Sequence, residues 1–254
     1  MTRPIVLIPA RLASTRLPEK ALADIHGEPM IVQVWRRALE ADVGRVVVAA
    51  GDAAIAEAVL AVGGEAVLTD PDLPSGTDRI HQALGLADPD RMHDIIVNIQ
   101  GDLPVLEPHT TRAAVEALVR MPDAAMGTVA ASITDSADLD ETSVNKVVAA
   151  WESDGRFGRA LYFSKYPVPW GEGEVFHHIG IYTYRSAALD RFVALPPSPL
   201  ERRERLEQLR ALEAGMRIEV ARVETVPLGV DTAAQLDRAR TLLRPNPQIS
   251  GDSA

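Results

Sequence analysis

Three cations, Arg11, Arg16 and Lys20, stand in a stretch otherwise made of small, apolar and hydroxylated residues, with no carboxylate until Glu19. The chain as a whole carries a formal charge of −10, so this segment opposes the global sign. Guanidinium and ammonium groups beside Ser14 and Thr15 hydroxyls and free backbone N–H groups suit an oxyanion. The loop is also longer than the usual strand-to-helix connection of about two to six residues. It reads as an anion site with triphosphate as the leading candidate, against the plainer alternative of a polar surface loop with solvated arginines.

A second kind of chemistry is offered by two acids. Asp102 follows Asn98-Ile99-Gln100-Gly101, and Asp231 follows Gly229-Val230. Carboxylates emerging from strand ends can share one Mg²⁺, which takes one or two acids together with phosphate oxygens and water. Taken singly, each Asp is as readily a turn or helix cap. Ser75-Gly76-Thr77-Asp78-Arg79 reads as a small-residue loop entering a helix, with Arg79 either a further phosphate cation or a solvated helix arginine. In His177-His178 the two side chains point to opposite faces of a strand, so at most one can face a given site. A hydrogen-bonded histidine is favoured there over a metal ligand. His178 and Tyr182, four apart, share a face. Glu204–Arg210 reads as a solvated charged helix face.

The elements that would position these groups alternate. Ile5–Ile8, Val46–Ala50, Ala66–Thr69 and Ile95–Ile99 are short apolar runs of the kind buried on both sheet faces. Helices are expected from Pro29 as first helical residue, over Ala53–Val62 and over Thr77–Leu86. The order implies a three-layer α/β sandwich, Rossmann-like, with a mostly parallel sheet and right-handed crossovers. The first strand leads directly into the cationic loop, where open α/β folds bind ligands. Beyond Pro108 come a helix (Thr110–Val119), strand-rich sequence over Met126–Ile133 and Val144–Trp151, a helix from about Pro199 to Ala214, a strand (Arg217–Val223) and a last helix. Arg159–Tyr184 breaks the alternation and holds most of the aromatic residues, so it is expected as a β-rich insertion shaping a substrate pocket or dimer contact. The expected organisation is a single domain over 1–244, with about 155–200 as the substrate and dimerisation portion and 245–254 as a flexible tail.

Composition narrows the classes. With 254 residues, 46% of them hydrophobic, there is material for a substantial core. The acidic balance argues against a nucleic-acid binder. The absence of cysteine excludes disulfides, a thiolate nucleophile and cysteine-ligated zinc. No apolar run reaches the roughly 18 residues of a membrane span, and no secretory signal pattern is visible, so a cytoplasmic enzyme working without a membrane partner is expected. No Gly-x-Gly-x-x-Gly follows the first strand, which sets aside a dinucleotide-binding oxidoreductase.

Taken in order, several segments resemble the 3-deoxy-D-manno-octulosonate (Kdo) cytidylyltransferases, the CMP-Kdo synthetases. They are Ile8-Pro9-Ala10-Arg11, Ser14-Thr15-Arg16-Leu17-Pro18 with Lys20, Ser75-Gly76-Thr77, Val97–Asp102, Ala160–Ser164, His178–Tyr182, Pro197–Glu201, Leu206–Arg210 and Gly229–Thr232. The resemblance spans Ile5 to about Arg244. It implies a homodimeric nucleotidyltransferase that joins CTP and Kdo into CMP-Kdo and pyrophosphate, with Mg²⁺ as cofactor, for lipopolysaccharide synthesis.

Carried over residue by residue, the resemblance places Arg11, Ser14, Arg16 and Lys20 on the CTP phosphates, with Ser75 and Gln100 helping to place the nucleotide; Arg79, from the reading of its own segment, is expected with them as CTP-binding. Asp102 and Asp231 would hold the metal, and Arg16, Lys20 and both acids form the catalytic set. Lys165, His178, Tyr182, Glu207 and Gln208 would meet the sugar. Two positions depart from the family's common pattern. Leu103 stands where Glu often follows the Gln-Gly-Asp motif, and Lys165 stands where Arg is usual, trading a bidentate fork for a point charge. The alternatives are a cytidylyltransferase for a related acidic sugar, such as amino-Kdo or a sialic-acid-like one, and a non-catalytic nucleotide-binding protein.

Overall fold

The computed structural model describes residues 2–244; the expected tail, 245–254, lies outside them. Strand β1 (Pro4–Ala10) is flanked by β4 (Arg45–Ala50) and β6 (Ile95–Asn98), and β5 (Glu65–Leu68) lies beyond β4, all in parallel. Their side chains are buried on both faces along most of β1, β4 and β6, which is why they appear in sequence as unbroken apolar runs. Helices α1 (Met30–Glu40), α2 (Ala53–Ala61) and α4 (Pro108–Val119) border one core, and α3 (Gly76–Ala87), α6 (Ser186–Ala194) and α8 (Leu209–Glu213) the other. The result is three layers.

The second half of the sheet is mixed. It comprises β7 (Met126–Ser132), β8 (Lys146–Trp151), β9 (Phe157–Ser164), β10 (Phe176–Arg185) and β11 (Ile218–Val223), and the whole nine-stranded order is β5-β4-β1-β6-β10-β7-β11-β9-β8. The aromatic-rich stretch expected as an insertion is therefore woven into the sheet. β10 lies between β6 and β7 and is antiparallel to both. Its first residues, Phe176–Ile181, precede the pairing of Tyr182 with Asn98 at the end of β6, so they extend past that strand at the end of the sheet where ligands bind.

Two local expectations are corrected. Pro29 is the cap before α1, because it closes a short antiparallel ladder of β2 (Asp24–Ile25) with β3 (Glu28–Pro29). The helix expected over 199–214 is two, α7 (Pro199–Glu204) and α8, divided at Arg205, whose φ is 57°. Glu207 and Gln208 sit in the break. Among the described residues the remaining helices are a 3₁₀ turn over Lys20–Leu22, a single turn, α5 (Ala137–Asp140), and α9 (Ala233–Leu242), which starts on a Thr232–Gln235 capping box.

Candidate active site

β1 delivers its chain into a cleft of about 380 Å³ walled by Pro9–Arg11, Ser14–Arg16, Lys20, Ser75, Gly76, Arg79, Gln100–Asp102 and Asp231. Every residue expected on the triphosphate side thus lines one cavity. Close approach of the backbones needs small residues. A Cβ on Gly101 would lie 2.6 Å from the Pro9 carbonyl oxygen, and one on Gly76 would press Pro9 at 3.3 Å.

The two acids are brought together by the loops that carry them: the Val230 N–H donates to the Asp102 carbonyl at 2.9 Å. Lys20 Nζ then donates to Asp102 Oδ2 at 2.8 Å, to Asp231 Oδ1 at 2.7 Å and to the Val230 carbonyl at 3.3 Å. Burial alone would lower the Lys20 pKa, but the charges and hydrogen bonds of Asp102 and Asp231 prevail and raise it. Arg16 donates to Asp231 Oδ2 at 2.7 Å. With its side chain 64% exposed, that pair adds little to stability and is free to exchange for a ligand. Leu103, where an acid was a family alternative, is buried in the core. Arg11 is exposed and makes no hydrogen bond among the described residues.

Arg79 differs from the expectation of a phosphate cation. It is buried, and its guanidinium donates to Thr69 Oγ1 at 2.6 Å and to the carbonyls of Asp70 and Pro71. Its role in this structure is to hold the turn that forms one wall. Burial, then the charge of Arg11, lower its pKa.

Ser75 caps α3, accepting from the Asp78 N–H at 3.1 Å. Two residues on, Thr77 Oγ1 donates to Glu207 Oε2 at 2.6 Å, tying the cleft to the break between α7 and α8. Burial raises the Glu207 pKa, opposed by the hydrogen bonds from Thr77 and Ser75 and by Arg210. A buried carboxyl with a raised pKa, hydrogen-bonded to the residue next to a cleft wall, is a group matched to proton chemistry or to a hydroxyl ligand.

On β10, the His178 and Tyr182 rings lie 5.3 Å apart on one face, as their spacing predicts, with Phe163 edge-on to His178 at 4.8 Å. His178 is buried, and its Nε2 is 3.0 Å from Thr128 Oγ1. That hydroxyl donates to the Ile181 carbonyl at 2.7 Å, which assigns the proton to His178 Nε2 and leaves Nδ1 an acceptor. Nδ1 has no protein partner among the described residues, and neither has the buried Nε2 of Gln208. A buried acceptor and a buried donor left unpaired can each hydrogen-bond a polar ligand. Burial, then His177, lower the His178 pKa to about 3, so the imidazole is neutral. Lys165 follows β9, and its side chain makes no ion pair among the described residues.

A cytidylyltransferase family model matches residues 5–218. The chain belongs to the cytidylyltransferase family. Over 240 residues it is 64% identical to the 3-deoxy-manno-octulosonate cytidylyltransferase of Parvibaculum lavamentivorans, covering 94% of this chain and 92% of that one. It is 59% identical to the enzyme of that name from Rhodospirillum rubrum over 240 residues, 94% of this chain and 95% of the other. Among solved structures, CMP:2-keto-3-deoxy-manno-octonic acid synthetase complexed with CTP superposes with a TM-score of 0.86 at 37% identity, covering 95% of this chain and 98% of that one. A cytidylyltransferase from Leptospira borgpetersenii, 14% identical with a TM-score of 0.60 over 95% of this chain and 86% of that one, shares the fold. The resemblance to CMP-Kdo synthetases and the nucleotidyltransferase fold class are thereby borne out.

For this cytidylyltransferase the donor set suits Mg²⁺. Two hard carboxylates already converge on one cation, the Lys20 ammonium, so their oxygens stand no farther apart than its two short contacts laid end to end. Other functional groups escaped the sequence. Glu204, placed on a solvated face, accepts from Tyr162 OH, Ser164 Oγ and the Lys165 N–H. Lys146 is fully buried on β8. Its sequence signal was present, a lysine inside an apolar strand run, but nothing local said what it would touch. Thr77 was noticed only as part of the Ser75-Gly76-Thr77 segment, with no partner assigned, and Thr128 carried no signal beyond its strand setting.

Proposed function

We propose that this chain transfers CMP from CTP to Kdo, releasing pyrophosphate, as a Mg²⁺-dependent cytoplasmic homodimer that supplies activated sugar for lipopolysaccharide. The observation that carries this reading is the convergence of Arg11, Arg16, Lys20, Asp102 and Asp231 on one cleft that Thr77 links to the sugar-side Glu207. The likeness to a CTP complex supports CTP as the nucleotide.

In this reading the anomeric hydroxyl of Kdo attacks the α-phosphorus, the bond to the β-phosphate oxygen breaks, and the hydroxyl proton leaves to solvent or a nearby base. Both reactants are anions, so positioning and charge neutralisation dominate the barrier. Arg11, Ser14, Arg16 and Lys20 bind the triphosphate, and Arg16 with Lys20 offsets charge on departing pyrophosphate. Ser75 and Gln100 place the nucleotide. Asp102 and Asp231 would hold Mg²⁺, which when bound would supply charge neutralisation and a lowered hydroxyl pKa. His178 Nδ1 accepts from a sugar hydroxyl, Gln208 Nε2 donates, Tyr182 and Glu207 contact its hydroxyls, and Lys165 meets the carboxylate. No protein nucleophile is required.

Pyrophosphate release tests the reading, measured with each nucleoside triphosphate, with and without Kdo, in Mg²⁺ and in chelator. Release is expected with CTP, Kdo and Mg²⁺ together. Silence in that mixture, or a nucleotidyl-enzyme trapped by labelled CTP alone, would overturn it.

A further inference from the structure

Lys146 is 0% exposed, and its ammonium has no carboxylate partner among the described residues. It donates instead to two backbone carbonyls, that of Glu141 at 2.8 Å and that of Lys165 at 3.3 Å. An enclosed charge with no directly paired counter-ion is costly, and the charges of Asp140, Glu141 and Asp138 only partly offset that cost, so its retention calls for a task. Burial depresses its pKa, consistent with that cost.

The second acceptor indicates the task. On the other side of the same residue, Glu204 Oε2 accepts the Lys165 N–H at 3.1 Å. Glu204 Oε1 also takes Tyr162 OH and Ser164 Oγ, both at 3.2 Å, and Ser164 Oγ accepts the Tyr166 N–H at 3.0 Å. The peptide groups on both sides of Lys165 are thus gripped by the side chains of Lys146 on β8 and Glu204 on α7, just where β9 ends. The preceding residue but one, Phe163, packs on His178. A lysine ammonium rides on a flexible four-carbon stem and lacks the fixed fork of arginine, so fixing its backbone is the remaining means of aiming it.

We propose that Lys146 is a positioning residue for the acidic sugar: together with Glu204 it fixes the Lys165 backbone so that the Lys165 ammonium meets the sugar carboxylate. This rests on the reading above that Lys165 receives that carboxylate.

The test is a double-mutant cycle on pyrophosphate release by the full-length enzyme, with the KM for Kdo and for CTP read separately. Lys165→Met and Lys146→Met are each expected to raise the KM for Kdo about tenfold or more, the scale of one lost charge-assisted bond, with the KM for CTP nearly unchanged. The double variant should be no worse than Lys165→Met alone, because both changes remove one interaction. Lys146→Arg should restore most of the loss.

A normal KM for Kdo in Lys165→Met would remove the underlying reading. An impaired Lys165→Met beside an unaffected Lys146→Met, or penalties that multiply in the double variant, would overturn the proposal alone. If Lys146→Met no longer binds CTP and has failed to fold, Glu204→Gln takes its place in the cycle. The same selective, non-additive rise is expected, and a wild-type KM for Kdo in Glu204→Gln would overturn the clamp.

Discussion

Asp102 and Asp231, 129 positions apart in the chain by their numbering, share one ammonium: Lys20 Nζ lies 2.8 Å from an oxygen of the first and 2.7 Å from one of the second. Two carboxylates this close repel unless a cation stands between them. Replacing either with Asn should lower turnover by about a hundredfold or more, the scale seen when electrostatic stabilisation is removed. The same variants should weaken Mn²⁺ binding followed by electron paramagnetic resonance in the presence of CTP. An Asn variant with unchanged Mn²⁺ affinity would take that acid out of the metal site.

The Lys20 contact also has a signature in stability. Its pKa is raised in the fold, so its contribution is fully present below the unfolded value of about 10.5 and is lost as pH rises through the folded value. Comparing urea unfolding of wild type and Lys20→Met, the gap should be constant from neutral pH to about 10 and should close above about 10.5. A gap that persists at still higher pH would mean the loss comes from packing of the stem, not from the charge.

Thr77, next in the chain to the cleft-lining Gly76, is tied to Glu207 in the break between α7 and α8. The 2.6 Å hydrogen bond from Thr77 favours the ionised carboxylate and works against the burial that raises its pKa. Arg210 pulls the same way as Thr77, and Asp78 opposes it. In Thr77→Val the Glu207 pKa should rise further, and the acid limb of kcat/KM for Kdo should move to higher pH by about one unit, the scale of a lost hydrogen bond to a charged group. An unmoved limb would show that another group controls it.

What could be read from sequence follows the range of the forces involved. Strands β1, β4 and β6 announce themselves because burial on both faces makes each an apolar run, and the cationic loop after β1 needs no tertiary knowledge to be noticed. Non-local pairing was invisible. β10 alternates polar and apolar residues like a peripheral strand, yet it sits between β6 and β7, a placement decided by partners 44 and more residues away. The split of 199–214 turns on Arg205 in the left-handed region, where the helical periodicity gives no warning. Arg79 looked like a free cation because only the folded 69–71 turn supplies its acceptors. The pairing of the Asp102 and Asp231 loops through the Val230 N–H was likewise a matter of assembly; their residue types alone left a shared metal and a turn or helix cap both open.

His178 offers a prediction about protonation. Its pKa is lowered to about 3 by burial, then by His177. Protonation must therefore accompany unfolding: the stability it contributes is whole above the unfolded value of about 6.5 and falls as pH drops below that toward the folded value. Imidazole ¹H–¹⁵N spectra should show this ring in the Nε2–H form, without titration, between about pH 5 and 8. Thr128→Val removes the acceptor of that proton, and the KM for Kdo should rise about fivefold to tenfold as the Nδ1 acceptor loses its fixed tautomer. A ring that titrates near 6.5 would show that His178 is solvated and would release it from the acceptor role.

Gly101 tests whether the cleft depends on backbone contact and not on side chains alone. It lies between Gln100 and Asp102, and a Cβ there would meet the Pro9 carbonyl oxygen at 2.6 Å, with the Ala10 Cβ at 3.4 Å and Ile31 Cδ1 at 3.5 Å beyond. None of these is the free end of a flexible polar chain. β1 is paired on both sides, and Ile31 is fully buried on α1. The strain can be relieved only by moving the Gln100–Asp102 loop away from β1, which carries Asp102 off Lys20. Gly101→Ala should therefore cost about 1–3 kcal/mol, the usual range for overpacking. At about 2–4 °C per kcal/mol for a chain of this size, the melting temperature should fall by several degrees. Turnover should fall further than stability explains, measured well below the melting temperature, because the carboxylate has moved. A variant that melts early but turns over normally would show that the loop relaxes without displacing Asp102.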